Sequence, residues 1–128
     1  MRLDGELVRL DRHILHTVIA TYEEPLALAA IWCAAPGCPP MRPELYQRNS
    51  LDAELADQMR RWTDGGLVRA EGSTFVFASH LRPWLDYFER WSDAKTPCAI
   101  VEPYAQPALL VALQTNATTN TGCSVRWE

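Results

Sequence analysis

The segment from Ser50 to Ala78 constrains the fold more than any other part of the chain. From Leu51, apolar residues fall at Leu51, Leu55, Met59 and Trp62, the narrow stripe of an amphipathic helix. Asn49 or Ser50 is placed to cap its start. Asp64-Gly65-Gly66 is placed to end it, because glycine adopts the left-handed backbone that closes helices. Leu67-Val68-Arg69-Ala70 and Thr74-Phe75-Val76-Phe77-Ala78 then flank the turn Glu71-Gly72-Ser73, the pattern of a β-hairpin.

Upstream, a helix starting at Leu7 would carry Asp11 in its apolar stripe. A start with Asp11 as N-cap removes that conflict and lines up Ile14, Leu15, Val18 and Tyr22. Pro25 suits the first turn of a second helix, with Glu23 and Glu24 at the end that favours negative charge. Leu26 to Trp32 continue that helix until Pro36-Gly37, and the proline-rich stretch 36–43 reads as a loop. Downstream, Ser79 is placed to cap a fourth helix with Leu81, Trp84, Leu85, Phe88 and Trp91 on one broad face. Leu109 to Gln114 and Ser124 to Trp127 flank the polar segment Asn116 to Gly122, which predicts a second, C-terminal β-hairpin. The expected class is α+β. Residues 1–92 form the main domain with its fourth helix, and residues 93–128 an extension packed on it or on a partner subunit.

The order of three helices and a two-stranded wing resembles the winged helix-turn-helix superfamily. The residues that carry the likeness are Glu24-Pro25-Leu26-Ala27-Leu28, Leu51-Asp52-Ala53-Glu54-Leu55, Met59-Arg60-Arg61-Trp62 and the junction Asp64-Gly65-Gly66-Leu67-Val68-Arg69. The likeness spans residues 11–78. It implies that the outward face of the third helix reads a DNA major groove. Ala53, Asp57 and Arg60 lie opposite the apolar stripe, with Arg61 beside them. Arg42 and Arg48 before the helix and Arg69 in the wing would meet phosphates, as in a small transcriptional regulator.

Charge supports a second reading. The 128 residues carry a net charge of −4. Between Ser50 and Asp64, four acidic residues (Asp52, Glu54, Asp57, Asp64) face two basic ones, Arg60 and Arg61. Asp52, Glu54 and Asp57 form an acidic face suited to a basic partner protein, as in phage-type inhibitors that occupy nucleic-acid-binding surfaces. The aromatic face of the fourth helix suggests a homodimer through Trp84, Phe88, Trp91 and the C-terminal hairpin.

Apolar residues make up 48 % of the chain and charged residues 22 %, the balance of a globular domain with a real core. No apolar run approaches the roughly 20 residues needed to cross a bilayer. Met1 to Glu6 lack the apolar core of a secretory signal, so a cytoplasmic location with reduced cysteines is expected. His13 and His16 have a spacing that can ligate metal, but a solvated helix face is the simpler reading. Cys33, Cys38, Cys98 and Cys123 contain no tight pair of the zinc type, and Cys33 reads as core packing. No nucleophile motif surrounds Ser79, His80 or Asp86. Neither an enzyme nor a cofactor is expected.

Overall fold

The third-helix stripe closes as its spacing predicts. In the computed structural model, which describes residues 2–3, 6–7, 21, 23–30, 36–41, 43–44, 46–118 and 122–128, Leu51–Trp62 is an α-helix, α1. Leu55, Met59 and Trp62 point into the core, and Gln58 joins them. Leu51, the first member of the expected stripe, is 41 % exposed, because the helix has only just begun there. Ser50 occupies the N-cap position without a side-chain cap bond, while the Gln47 N–H donates to Glu54 Oε2 at 2.8 Å. Past Trp62 the helix widens into one π-type turn, Thr63–Leu67, and Gly66 at φ +139° releases the chain into extended backbone.

Two strands follow, preceded in chain order by the short antiparallel pair β1 (Arg2–Leu3) and β2 (Glu6–Leu7). Strand β3 (Val68–Glu71) pairs antiparallel with β4 (Thr74–Phe77), Val68 opposite Phe77 and Glu71 opposite Thr74. This is the expected hairpin. Alternation places Val68, Phe75 and Phe77 against the core.

The second hairpin is not formed. Residues 109–114 belong to an α-helix, α4 (Pro107–Thr118), and β5 (Ser124–Trp127) pairs parallel with β4 as the third strand of one sheet, in the order β3-β4-β5. The composition explains the difference. Pro107 occupies the first helical turn, and Ala108, Leu109, Leu110, Ala112, Leu113 and Gln114 are strong helix formers. Leu109 and Leu113, four apart, are the buried pair. A parallel strand also needs a long crossover, which the helices between Phe77 and Ser124 supply.

That crossover comprises the 3-10 segment Ser79–Trp84, α2 (Leu85–Trp91), α3 (Pro97–Val101), the 3-10 turn Glu102–Tyr104 and α4. The predicted fourth helix is thus a 3-10 entry followed by a short α-helix. Its expected cap, Ser79, instead donates its backbone N–H to Glu128 O at 2.9 Å. Pro25–Ala30 is also 3-10, with Pro25 and Leu28 buried three residues apart, which suits its three-residue period. The expected first helix over 11–22, like the second helix beyond Ala30, lies outside the described residues apart from the helical Thr21.

One core joins these elements: Leu28, Met59, Trp62, Leu67, Phe75, Phe77, Leu81, Trp84 and Phe88 pack with Ile100, Val101, Leu109 and Leu113. Residues 93–128 therefore contribute to the same core as α1 and the sheet. Trp84 and Phe88 are 6 % and 3 % exposed. The chain itself covers them, so neither side chain offers more than a small area to the homodimer contact expected there.

The expectation of reduced cysteines is also corrected. Cys98 and Cys123 form a disulfide with a Cα–Cα separation of 5.8 Å, tying α3 to the residue before β5. Cys38 is disulfide-bonded as well, to a partner outside the described residues. Among the described residues, no helix is long and apolar enough to cross a membrane.

Candidate functional site

Helix α1 presents its outer face as the helical spacing requires. Asp52, Ala53, Arg60 and Arg61 are exposed, and Glu54 and Asp57 are half-buried. Arg48 is exposed one turn before the helix, in the 3-10 turn Arg48–Ser50. Arg42 lies outside the described residues.

The structure adds what these cations are joined to. Arg61 Nε meets Asp57 Oδ2 at 3.1 Å, one helical turn back, and its Nη1 meets Glu44 Oε2 at 3.4 Å. Among the described residues, Arg48 and Arg60 have no carboxylate partner.

The wing is neutralised in the same way. Register places Arg69, Val76 and Arg126 in one row across the sheet, and Glu71 lies two residues from Arg69 on the same face. Arg69 Nε contacts Glu71 Oε1 at 3.4 Å, and its Nη1 contacts Glu128. Arg126 contacts the other oxygen of Glu71. The four side chains form an alternating row with no net charge. Each such exposed pair adds little stability, because solvent screens the attraction and ordering two long side chains costs entropy. Its effect is on the field, because Arg69 must leave a carboxylate before it can meet a phosphate. The hydrogen bond from Arg69, followed by its charge, holds the Glu128 carboxyl below its ordinary value.

A groove of about 440 Å³ lies between the start of the Pro25–Ala30 segment, the end of α2, α3 and the turn at Tyr104. Its walls are aromatic and proline-rich: Phe88, Trp91, Tyr104, Pro25 and Pro103. Its charged members are Glu24 and Asp93. Glu23 at φ +52°, an uncommon conformation for a residue with a side chain, precedes Glu24. Glu24 Oε1 then accepts the Leu26 N–H at 3.0 Å, which fixes the carboxylate at the groove. Trp91 is held by Tyr87, stacked at 5.2 Å, and by Arg90 at 5.3 Å from its ring centre. Burial, and then the charge of Glu24, push the Tyr104 hydroxyl above its ordinary pKa, against a smaller opposing influence from Arg60. Lys95, the single lysine, donates to Glu89 O at 3.2 Å and does not line this groove.

A larger hollow of about 620 Å³ sits beside Gly37, Gly65 and Gly66, but its charged side chains, Arg69 and Glu128, already bind each other. His13 and His16 lie outside the described residues, and among the described residues no cluster of metal-ligand side chains occurs.

Sequence reasoning reached the outer face of α1 but missed Glu44 as a partner of Arg61, Glu71 and Glu128 as partners of Arg69, Arg126 as a further cation of the wing, and the groove. Arg126 and Glu128 could have been placed on the wing only by knowing that β5 adds to β4. Comparison with protein-family models, with curated proteins and with solved structures finds no match to this chain.

Proposed function

We propose that this chain is a protein-binding module on a winged-helix-like scaffold, which docks a basic partner surface through Asp52, Glu54 and Asp57 on α1. The observation that carries this reading is the internal pairing of the arginines a DNA reader would need. Arg61, Arg69 and Arg126 each touch a carboxylate of the same chain; for Arg61 one of these is Asp57 of the acidic face itself, so on that face the excess of acid over base rests chiefly on Asp52 and Glu54. Phosphate neutralisation dominates DNA affinity, so a helix with more acids than bases and a neutral wing is poorly suited to duplex DNA. The same field attracts a partner that is itself basic, and a module of this kind can act by covering a nucleic-acid-binding surface.

Arg48 and Arg60 keep the DNA-binding reading alive as the competitor, because both are exposed and lack a carboxylate partner among the described residues. Fluorescence anisotropy with a labelled oligo-arginine peptide and a labelled mixed-sequence duplex separates the two. The peptide is expected to bind saturably at low salt, and Asp52→Lys with Asp57→Lys to weaken it by about tenfold, or ~1.4 kcal/mol. Duplex binding that falls steeply with salt and disappears in Arg48→Ala with Arg60→Ala would overturn the proposal in favour of a DNA reader.

A further inference from the structure

The groove beside Tyr104 has a chemistry that the outer face of α1 does not share. Trp91 and Tyr104 line the groove, and their side chains carry an indole N–H and a phenol O–H, two groups able to donate to a ligand's oxygens. The acceptors available in return are the carboxylates of Glu24 and Asp93, and among the described residues no arginine or lysine lines the groove. Arg60 is felt at Tyr104, but less strongly than Glu24. A matching ligand must then supply carbonyl oxygens to the two aromatic donors, few N–H groups, flat apolar bulk for the rings, and positive charge for the rim.

An extended proline-containing peptide has these properties. Proline carries a carbonyl and no N–H, and its polyproline conformation leaves every carbonyl free to accept. Proline rings stack on aromatic side chains, and aromatic grooves with indole and phenol donors are suited to such segments. A basic side chain next to the proline meets Glu24, whose position is fixed by its bond to the Leu26 N–H. We infer that the groove formed by Trp91, Tyr104, Pro25, Pro103, Glu24 and Asp93 binds a proline- and arginine-containing segment of a partner protein. This inference rests on the reading of the chain as a protein-binding module and gives that module a second, sequence-selective contact.

The test uses the intact chain and two fluorescein-labelled peptides, one of alternating proline and arginine, the other of alternating proline and glutamate. Tyr104→Phe keeps the ring and removes the hydroxyl, and Glu24→Gln keeps an oxygen able to accept from Leu26 N–H. Neither change should unfold the chain, which a thermal melt checks directly. Saturable binding of the proline–arginine peptide is expected, weakened about tenfold by Glu24→Gln and several-fold by Tyr104→Phe, and less by Asp57→Lys than by Glu24→Gln. Equal binding of the proline–glutamate peptide would overturn the assignment. If binding of the proline–arginine peptide is lost in Asp57→Lys and kept in Tyr104→Phe and Glu24→Gln, the groove assignment fails while the module stands. If neither this peptide nor oligo-arginine binds and the duplex does, both fail.

Discussion

Replacing Cys98 and Cys123 together by serine removes the covalent link between α3 and β5 while leaving the disulfide of Cys38 in place. The link closes a loop with a sequence separation of 25. In the chain-entropy description, opening that loop in the unfolded state lowers stability by about 3.5 kcal/mol at 25 °C. An unfolding entropy of about 2.1 cal/mol/K per residue gives roughly 270 cal/mol/K for 128 residues. The melting temperature should therefore drop by about 13 °C. The assay is a pair of thermal melts followed by far-ultraviolet circular dichroism, on oxidised wild type and on C98S/C123S. A thiol count in denaturant without reductant accompanies them, and for the wild type it should find no free thiol. A drop below about 3 °C, or two reactive thiols in the wild type, would refute the argument, because the loop would then already be open in solution.

Gly37 sits at φ +85° with its missing Cβ position 2.9 Å from Ala78 Cβ, so Gly37→Ala meets both a disfavoured backbone and a clash. A loss of about 1–3 kcal/mol is expected, read from denaturant unfolding at constant m-value. Phe88→Ala empties a core site and should cost about 3–5 kcal/mol, while analytical ultracentrifugation shows the same mass as the wild type; a lighter species would restore the dimer read from the aromatic helix. Arg69 depresses the Glu128 pKa below its ordinary 4.5, so in the fold this carboxyl binds its proton more weakly than in the unfolded chain. Its contribution is present above the ordinary value and disappears as pH falls through the folded one, and an NMR titration of Glu128 should shift upward in Arg69→Gln. Glu71→Gln with Glu128→Gln frees Arg69 and Arg126 of their partners, and should create salt-sensitive duplex binding, with a slope of log affinity against log salt near −1.8 for two phosphates.

How much of this was legible in the sequence follows from the range of the interactions. The run from α1 to β4 could be read because its signals are local: a helical period, then two glycines, then alternation around a turn. Helix α4 was misread because a short apolar run such as Ala108 to Leu113 fits a strand or a helix by hydrophobicity alone; Pro107 and the alanine and leucine content were the better guides. The pairs Arg69–Glu128 and Arg126–Glu71 join residues 59 and 55 positions apart, and no local pattern announces them. The disulfide is equally nonlocal: Cys98 and Cys123 are 25 positions apart, and no local spacing pairs them. Of the candidate site, the sequence located the exposed side chains on α1. It could not show which arginines were already held, nor that Trp91 and Tyr104 share one groove.

Strand β5 connects these separate misses. It completes the sheet beside β4, with Trp127 against Phe77 at 5.8 Å between ring centres and Glu128 N–H bonded to Phe77 O at 2.9 Å. The same four residues and their successor bring Arg126 and Glu128 to the row that neutralises the wing. Just before them, Cys123 fastens the strand to α3. An edge strand held by a few parallel hydrogen bonds is weakly anchored alone, since parallel pairing is the less stable arrangement and, among the described residues, the strand has one neighbour. The disulfide compensates by limiting how far β5 can depart. Opening it would therefore act on charge as well as on packing: loss of β5 exposes Phe77, removes Glu128 from Arg69, and leaves Arg69 with Glu71 as its remaining carboxylate in the wing. The surface charge that separates a protein-binding module from a DNA reader thus depends on a strand whose place is secured by one covalent bond.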